Sequence, residues 1–579
     1  MNRFSSLVVI LVVFALAFTR FQYTKWETPT VTSTLTWDAF GYYMYLPAQF
    51  IYHDITGMKW VSDIQEKYHP TGTMYQISVL KNGNSVIKYP IGLALLYWPF
   101  FFLGHWVAGW LHYAQDGFSA PYQLAICIAA LFYAALGFWA LRKVLLHFFS
   151  DTITAITLLM IGLSTNYIQY AAVESGMTHV YLFTMYAFML LLTIRWHEKP
   201  QLLTALGIGL VFGVTTIARP TEAVMMFIPL LWSTQNKVVR QEKWKLLFYT
   251  HRTHFIATII GAFMGIFPQM AYWKIVSGKW VYDVGSKWMF LNPNWQVLFG
   301  WEKGWFVYTP IVFFMVAGMF LMQGKVYKRA ALTYLLLNVW IVIAWADWRY
   351  GASYSSRALV QSYPVLALAF ALVVERISIS KLKWPGIILG AYLLIVNLFQ
   401  IYQYNQTILH YNDNNRAYYA AIYLTPHPDP LDMSLLDTRE MIRDISAFRQ
   451  IRLIQVDTLV TIHAKDHPKQ LLFQRPISQV LNNTQPGKTA WLLITAQVKS
   501  EYGAFNSHLT TLIQTDQGSK QTNCRLENGI CERKAWNTIA YYFKVPPEYN
   551  GGLLSIFAET SAEDLIEVRN LKVQILEEK

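Results

Sequence analysis

Charge is scarce in this 579-residue sequence, and so is cysteine. Charged residues make up 14% of the chain, whereas roughly 25% is usual for a globular protein. A chain with so little charge cannot cover the surface of the roughly four soluble domains that its length alone suggests.

Several motifs of soluble enzymes are missing as well. No G-x-x-x-x-G-K-[ST] loop occurs, so ATP-driven transport within this chain has no support. The three cysteines form no paired C-x-x-C, and no H-E-x-x-H occurs, so zinc hydrolysis has no support either. No D-x-D cluster is present. No cofactor is therefore certain, and a divalent metal is possible but has no acidic cluster to support it.

Apolar and aromatic residues are abundant instead, at 54% and 16% of the chain, and the formal net charge is +13. Residues 405–579 hold 18 Lys and Arg against 19 Asp and Glu, so residues 1–404 carry a net charge of +14. A basic excess confined to the apolar part is typical of a membrane protein with basic cytoplasmic loops, and it argues against a nucleic-acid partner.

Segments of about 17–25 apolar residues can cross a bilayer. The pattern predicts eleven spans, near 5–22, 120–141, 152–171, 177–194, 201–218, 221–234, 254–275, 305–323, 329–346, 358–374 and 384–404. A twelfth apolar segment, 89–112, would place Arg142 and Lys143 on the outer side and invert every later loop if both it and 5–22 crossed. Its Pro99 and a predicted break at Gly104-His105 favour interfacial, juxtamembrane helices in the first outer loop.

The basic residues also orient the chain. Fifteen Lys and Arg residues lie in one set of loops, and the alternate set, counted from residue 171, holds seven. The richer set is expected to be cytoplasmic. This predicts a multi-pass protein of the cytoplasmic (inner) membrane, with its N-terminus inside and residues 405–579 outside.

With this orientation, the unusual polar residues of residues 1–404 share the outer side. Ionisable residues at the ends of spans are costly unless they are paired or face a wet cavity, so they are candidates for function. Besides Asp38 in the first outer loop, the candidates are Glu174, His179, Arg219, Glu222, Asp283, Glu302, Asp347, Arg349 and Arg357.

Each candidate also has a structural interpretation. Asp38 could cap a helix by accepting backbone N–H bonds, and His179 could be a satisfied polar residue inside the bundle. Arg219 could pair with Glu222 or extend to the lipid headgroups, and Asp347 could pair locally with Arg349. Three further outer lysines are predicted to be solvated loop charges: Lys279, Lys287 and Lys303.

Four segments together resemble a known class of enzymes. They are Asp38 with Gly41-Tyr42-Tyr43, then Lys88-Tyr89-Pro90-Ile91-Gly92, then Arg219-Pro220-Thr221, and finally Trp348-Arg349-Tyr350-Gly351 with Arg357. This pattern resembles the GT-C class of integral-membrane glycosyltransferases, most of all the bacterial protein-mannosyltransferase and aminoarabinose-transferase branch. The resemblance covers roughly residues 1–404.

The resemblance implies a sugar transfer from a polyprenyl-phosphate-linked donor to a glycan, lipid or protein acceptor at the bilayer, with Asp38 as the catalytic base. A base that removes the acceptor's proton and cations that hold the departing oxyanion would fit this chemistry. The expected substrate-binding residues are Tyr42, Tyr43, Lys88, Glu174, His179, Arg219, Asp347, Arg349 and Arg357. Many protein mannosyltransferases have Asp-Glu in the first loop, but Ala39 follows Asp38 here, which puts a protein acceptor in doubt.

The C-terminal part changes in pattern. Residues 405–450 are predicted to be a linker with a helix over 431–448. From 451 to 579, apolar and polar residues alternate in at least six short strands, which predicts a β-sandwich of jelly-roll type. Cys524 and Cys531 flank a turn in this module, and a disulfide between them is plausible in an oxidising compartment.

Two functions other than an enzyme fit a membrane protein of this kind. One is a non-enzymatic transporter or flippase for lipid-linked glycans, and the other is an assembly protein whose spans anchor the sandwich. Transporters usually place charges near the bilayer midplane, whereas the charges here lie at outer span ends. An anchor would leave about eleven spans unexplained. The sequence therefore favours the enzyme without identifying its sugar, acceptor or polyprenol.

Overall fold

The computed structural model describes residues 3–25, 33–457, 459–482, 484–485, 488–516, 518–530, 532–549, 551–561 and 564–579. The chain forms two compact units, residues 1–398 and 399–579.

The first unit is helical. Its helices are α1 (Arg3–Gln22), α2 (Asp38–Tyr43), α3 (Tyr45–Phe50), α4 (Val61–Tyr68), α5 (Gly92–Trp110), α6 (Ala120–Phe148), α7 (Asp151–Leu163), α8 (Thr178–Glu198), α9 (Leu202–Ala218), α10 (Phe227–Leu231), α11 (Lys237–Lys245), α12 (Arg252–Ser277), α13 (Gln296–Phe299), α14 (Trp305–Tyr308), α15 (Val312–Ala317), α16 (Lys328–Ile343), α17 (Tyr363–Ser378) and α18 (Lys383–Asn405), the last of which continues past residue 398. Two 3₁₀ segments matter for the site, Pro220–Met226 before α10 and Arg357–Ser362 before α17.

Within the described residues, seven helical segments are long and apolar enough to cross a membrane, which confirms a polytopic helical membrane protein. They are Arg3–Gln22, Gly92–Trp110, Ala120–Phe148, Thr178–Glu198, Arg252–Ser277, Arg357–Ser378 and Lys383–Asn405. Six of them coincide with predicted spans. The other five predicted spans coincide with shorter or interrupted helices, so the count of eleven stays a prediction.

The segment 89–112 differs from its prediction. The expected break at Gly104-His105 is absent, because α5 runs through both residues and through Pro99 as one helix. Gly104 marks a close approach of two helices, since a Cβ there would lie 3.1 Å from the Cα of Tyr122 in α6. Tertiary packing thus keeps the helix continuous where the sequence pattern alone favours a break.

A small hairpin shapes the loop between α1 and α5. Strands β1 (Ile77–Val79) and β2 (Ser85–Ile87) pair antiparallel, with Ser78 opposite Val86. The hairpin brings together the residues on its two sides, and these include Tyr75 and Tyr89. It therefore determines part of the surroundings of Asp38, as described below.

The second unit is a β-sandwich of antiparallel strands, as predicted. Its strands are β3 (Phe448–Val456), β4 (Val460–Ile462), β5 (Lys469–Pro476), β6 (Ala490–Ser500), β7 (Ser507–Thr515), β8 (Gly518–Arg525), β9 (Asn537–Val545), β10 (Leu553–Thr560) and β11 (Ile566–Glu578). One sheet has the order β5-β10-β7-β8 and the other β3-β11-β6-β9, with β4 beside β11. Apolar side chains of both sheets form one core. Within the described residues this unit has nine strands, in agreement with the expected minimum of six.

The predicted helix over 431–448 is wrong for most of its length. Short helices occur at α19 (Arg416–Ile422) and α20 (Pro430–Ser434), but residues 439–444 are not helical. Ile442 from this stretch packs with Tyr542 and Leu576, on strands β9 and β11 of the sandwich. Contact with the sheet therefore overrides the helical pattern of the segment.

The predicted disulfide involves a residue outside the described part of the chain, Cys531. Its expected partner, Cys524, lies buried in β8 and is not bonded to another described cysteine. The pairing stays a prediction.

Candidate active site

Asp38 is the first residue of α2, and the hydrogen bonds that act on its carboxylate come from the side chains of Tyr75, Tyr89 and Arg357 and not from the backbone of that helix. The preceding residue, Trp37, has a φ of 50°, which lies in the left-handed region that non-glycine residues rarely adopt. The helix-cap interpretation of Asp38 is therefore wrong. Its two carboxylate oxygens are used by side chains that lie far away in sequence.

Three side chains donate to this carboxylate. The hydroxyls of Tyr75 and Tyr89 donate to Oδ1, at 2.9 and 2.5 Å. The Nη2 of Arg357 donates to Oδ2 at 2.6 Å, across 319 residues of sequence. The side chains of Asp38 and Arg357 are only 22% and 13% exposed, so this is a largely buried ion pair.

The ion pair controls the protonation of Asp38. Burial by itself would raise the pKa of the carboxyl, but the Arg357 charge and the hydrogen bonds from the two tyrosines outweigh it and hold the pKa below its usual value. Burial raises the pKa of both tyrosine hydroxyls, and Asp38 raises it further. At neutral pH the site thus holds a carboxylate, a guanidinium and two neutral phenols.

Gly41 explains how Tyr89 reaches Asp38. A Cβ at residue 41 would lie 2.3 Å from Cδ2 of the Tyr89 ring, which is closer than real Cβ contacts allow. The ring therefore occupies the space that a larger residue at position 41 would fill. The Tyr42 ring packs edge-on against the same tyrosine at 4.8 Å.

A second arginine, Arg219, follows the end of α9 and belongs to the same electrostatic environment. Burial, and then the charge of Asp38, raise the pKa of Tyr42 to about 12, while Arg219 and Arg357 act in the opposite direction. The guanidinium of Arg219 also lies over the ring of Tyr350, at 5.6 Å from its centroid. The charges of Arg219, Arg357 and Asp38 thus all influence the pKa of the Tyr42 hydroxyl.

Glu222 is a buried carboxylate next to Arg219. Its Oε1 lies 3.9 Å from Nε of Arg219, and its side chain is 1% exposed. The Tyr186 hydroxyl donates to Glu222 at 2.7 Å, and the Gln361 amide donates to it at 2.8 Å. Because Gln361 lies in the 3₁₀ segment that begins with Arg357, this carboxylate connects the surroundings of the two arginines.

Two other predicted residues, His179 and Glu174, do not contact Asp38 but are linked to this cluster electrostatically. His179 is buried, with its ring against that of Tyr170 at 4.9 Å. Neither nitrogen of its ring has a hydrogen-bond partner of normal geometry within the described residues. Glu174 is half-buried, accepts a hydrogen bond from Gln169 at 3.2 Å and acts electrostatically on Arg357.

Two residues of the predicted site are placed elsewhere. Tyr43 is fully buried among aromatic rings, and its hydroxyl donates to the carbonyl of Gly117 at 2.6 Å. Lys88 is half-buried beside Tyr89, and its side chain has no polar partner within the described part of the chain. The structure thus assigns Tyr43 a packing role and does not bring the Lys88 ammonium to Asp38.

The loop before Arg357 also departs from expectation. Arg349 pairs with Glu302, with Nε at 2.8 Å from the carboxylate, and not with Asp347. Asp347 is exposed. Lys303, predicted to be solvated, is instead buried. Neither Arg349 nor Asp347 contacts Asp38. Of the three arginines predicted for the site, only Arg219 and Arg357 therefore remain in it.

Tyr75 and Gln361 are site residues that the sequence analysis did not name, and Tyr89 and Tyr350 appeared there only within motifs. With 36 tyrosines in the chain, no local signal distinguishes these from the others. Among the described residues, no group of three or more His, Cys, Asp and Glu side chains could hold a metal ion.

The chain is similar to solved glycosyltransferases. Archaeal oligosaccharyltransferase AglB from Archaeoglobus fulgidus, in complex with an inhibitory peptide and a dolichol-phosphate, matches with 12% identity and a TM-score of 0.38, over 76% of this chain and 61% of that one. The apo form of the Archaeoglobus fulgidus oligosaccharyltransferase matches with a TM-score of 0.42 and 12% identity, over 76% of this chain and 61% of that one. Arabinosyltransferase EmbB from Mycobacterium smegmatis matches with 11% identity and a TM-score of 0.32, over 99% of this chain and 64% of that one.

This chain therefore spans about three fifths of the length of these neighbours. No protein-family profile and no curated protein matches it. Both neighbours are glycosyltransferases, the enzyme class that the sequence itself resembles. At these TM-scores the likeness carries no argument about the site, whose chemistry rests on its own geometry.

Proposed function

We propose that this chain is a GT-C-type glycosyltransferase that moves a sugar from a polyprenyl-phosphate donor to a glycan, lipid or protein acceptor. The observation that carries the proposal is the buried Asp38–Arg357 pair, with two tyrosine hydroxyls on the same carboxylate. A carboxylate beside a guanidinium supplies a base for the acceptor and a cation for an anionic leaving group.

In the proposed reaction, an acceptor oxygen attacks the anomeric carbon while the bond from that carbon to the phosphate oxygen breaks. The acceptor's proton passes to Asp38, and the bonding electrons leave with the phosphate. Arg357 and Arg219 hold the resulting oxyanion through charge-assisted hydrogen bonds. Attack from the side opposite the phosphate inverts the anomeric centre.

Arg357 has two anionic partners in this scheme. The structure pairs it with Asp38, and that pairing keeps the carboxylate a weak base. When the donor phosphate takes over the guanidinium, the pKa of Asp38 rises and the carboxylate becomes a stronger base. Asp38 is then a strong enough base to remove the acceptor's proton only when the lipid-linked donor is bound.

We infer the finer architecture from the same chain. The strand orders β5-β10-β7-β8 and β3-β11-β6-β9 support a jelly roll for the second unit. The basic loops support eleven spans in the cytoplasmic membrane, with the site and residues 405–579 on the outer side.

The direct test is Asp38→Asn, assayed in membranes with a polyprenyl-phosphate sugar. We expect turnover to fall by roughly 10²–10⁴-fold, because the amide cannot take the acceptor's proton. Asp283→Asn is the matched control, since Asp283 is an exposed loop residue whose carboxylate accepts from the Gly285 amide. Turnover near wild type in Asp38→Asn would remove Asp38 as the base.

A further inference from the structure

Lys303 is a buried lysine with an unusual set of partners. The residue is 5% exposed. The ammonium donates to the backbone carbonyls of Arg349 and Gly351 and to the hydroxyl of Ser353. All three acceptors lie in the loop that leads from α16 to Arg357.

The chemistry of lysine matches this arrangement. A protonated ammonium has three N–H donors and no acceptor, and three acceptors of one loop surround it here. A buried charge is costly unless it is hydrogen-bonded. The loop itself therefore supplies three of the acceptors that solvate the Lys303 cation.

The loop before Arg357 contains residues in a strained backbone conformation, which the surrounding structure has to hold. Tyr350 and Ser355 both have a φ of 55°, and non-glycine residues in this region are strained unless their surroundings hold them there. Ser356 is held from the same side, because its hydroxyl donates to the Val297 carbonyl and lies 3.4 Å from the carbonyl of Lys303. Arg357 is the next residue.

We propose that Lys303 is the positioning residue of Arg357, holding the 349–353 loop so that the guanidinium points at the Asp38 carboxylate and at an incoming donor phosphate. The part of this role that concerns catalysis rests on the proposed function. Lys303 itself does not touch Asp38, and it acts through the backbone of the loop.

The protonation of Lys303 gives this role a measurable signature. Burial, followed by repulsion from Arg357, lowers the pKa of Lys303 to about 7. Of the other charged groups that act on it, Asp347 and Glu302 raise the pKa and Arg349 lowers it. A neutral amine keeps two donors for three acceptors, so the anchor is complete below about pH 7 and weakens as the pH rises through that value.

The test replaces Lys303 by Met in the full-length protein, with Lys287→Met as the control. Lys287 is an exposed lysine of the same outer segment. We expect Lys303→Met to speed amide hydrogen exchange across residues 349–357 and to lower kcat/KM for the polyprenyl-phosphate sugar by about tenfold to a hundredfold, as displaced catalytic groups do. The fall in wild-type kcat/KM near pH 7 should disappear in this variant, and the control should match wild type.

Unchanged exchange across residues 349–357, or kcat/KM within about threefold of wild type, would overturn the role of Lys303. Should Lys303→Met fail to accumulate, Ser353→Ala removes one acceptor alone, and its expected effects are smaller changes in the same two measurements. No change in either measurement for Ser353→Ala would also overturn it. A wild-type protein without transfer activity would instead overturn the proposed function, and hydrogen exchange would still decide whether Lys303 anchors the loop.

Discussion

The pairing of Arg357 with Asp38 leads to a prediction opposite in sign to the usual effect of removing a catalytic group. If the donor phosphate and the Asp38 carboxylate compete for one guanidinium, then Asp38→Asn frees it. The amide can still accept the hydrogen bonds of Tyr75 and Tyr89, so the site keeps its shape. We therefore expect Asp38→Asn to bind polyprenyl phosphate more tightly than wild type, although it no longer transfers sugar.

The magnitude follows from the contact that is lost. Nη2 of Arg357 lies 2.6 Å from the carboxylate, and the two side chains are 13% and 22% exposed. A hydrogen bond to a charged group contributes about 1.5–3 kcal/mol, and each 1.4 kcal/mol is about tenfold in affinity. We expect a fall in Kd of about tenfold, near the lower end, because both side chains keep some contact with water.

The assay is binding of a short polyprenyl phosphate to the protein in lipid nanodiscs, measured for wild type, Asp38→Asn, Arg357→Met and the double variant. Arg357→Met should weaken binding, since it removes a cation from the phosphate site. In the Arg357→Met background, Asp38→Asn should raise the affinity for polyprenyl phosphate by less than it does in wild type. The remaining gain is the part that comes from removing the repulsion between the Asp38 carboxylate and the phosphate. The cycle isolates the coupling between the two side chains.

Two results would refute this reasoning. An equal gain from Asp38→Asn with and without Arg357 would mean that the carboxylate only repels the phosphate through space. No gain in either background would mean that the phosphate does not use Arg357, and the exchange of partners would have to be abandoned.

Two further predictions concern the site and the topology. Gly41→Ala should displace the Tyr89 ring, whose Cδ2 would lie 2.3 Å from the new Cβ, and lower turnover by roughly tenfold, as overpacking of 1–3 kcal/mol does. Gly207→Ala in α9 is the control, because its new Cβ would lie an ordinary 3.6 Å from Leu192; an equal loss in both variants would contradict the role of Tyr89. Cysteine placed at the exposed Gln115 should react with an impermeant maleimide added from outside, with wild type as the background, and reaction only from the cytoplasmic side would contradict the eleven-span orientation.

Part of the site could be predicted from sequence. Arg219 and Arg357 were expected because charged residues at the ends of apolar spans are rare and therefore conspicuous, and Asp38 and Tyr42 were expected from the family pattern of the first outer loop. The tyrosines on Asp38 were not expected in that role, since nothing local distinguishes one aromatic residue of a membrane protein from another.

Residues of the same type took opposite roles once the chain was folded. Arg349 and Arg357 stand eight positions apart in one loop, yet one pairs with Glu302 and the other with Asp38. Lys303 and Lys287 have the same predicted environment, but only Lys303 is buried. These differences depend on which segments pack against the loop, and no spacing within the loop encodes them.

The sequence by itself determined that this is a helical membrane protein with a β-rich C-terminal module. These properties follow from hydrophobic content and from periodicity, which act locally along the chain. The tertiary structure alone decided that Asp38 meets Arg357 across 319 residues and that α5 runs unbroken through Gly104. Both depend on contacts between distant segments, and such contacts exist only once the chain is packed.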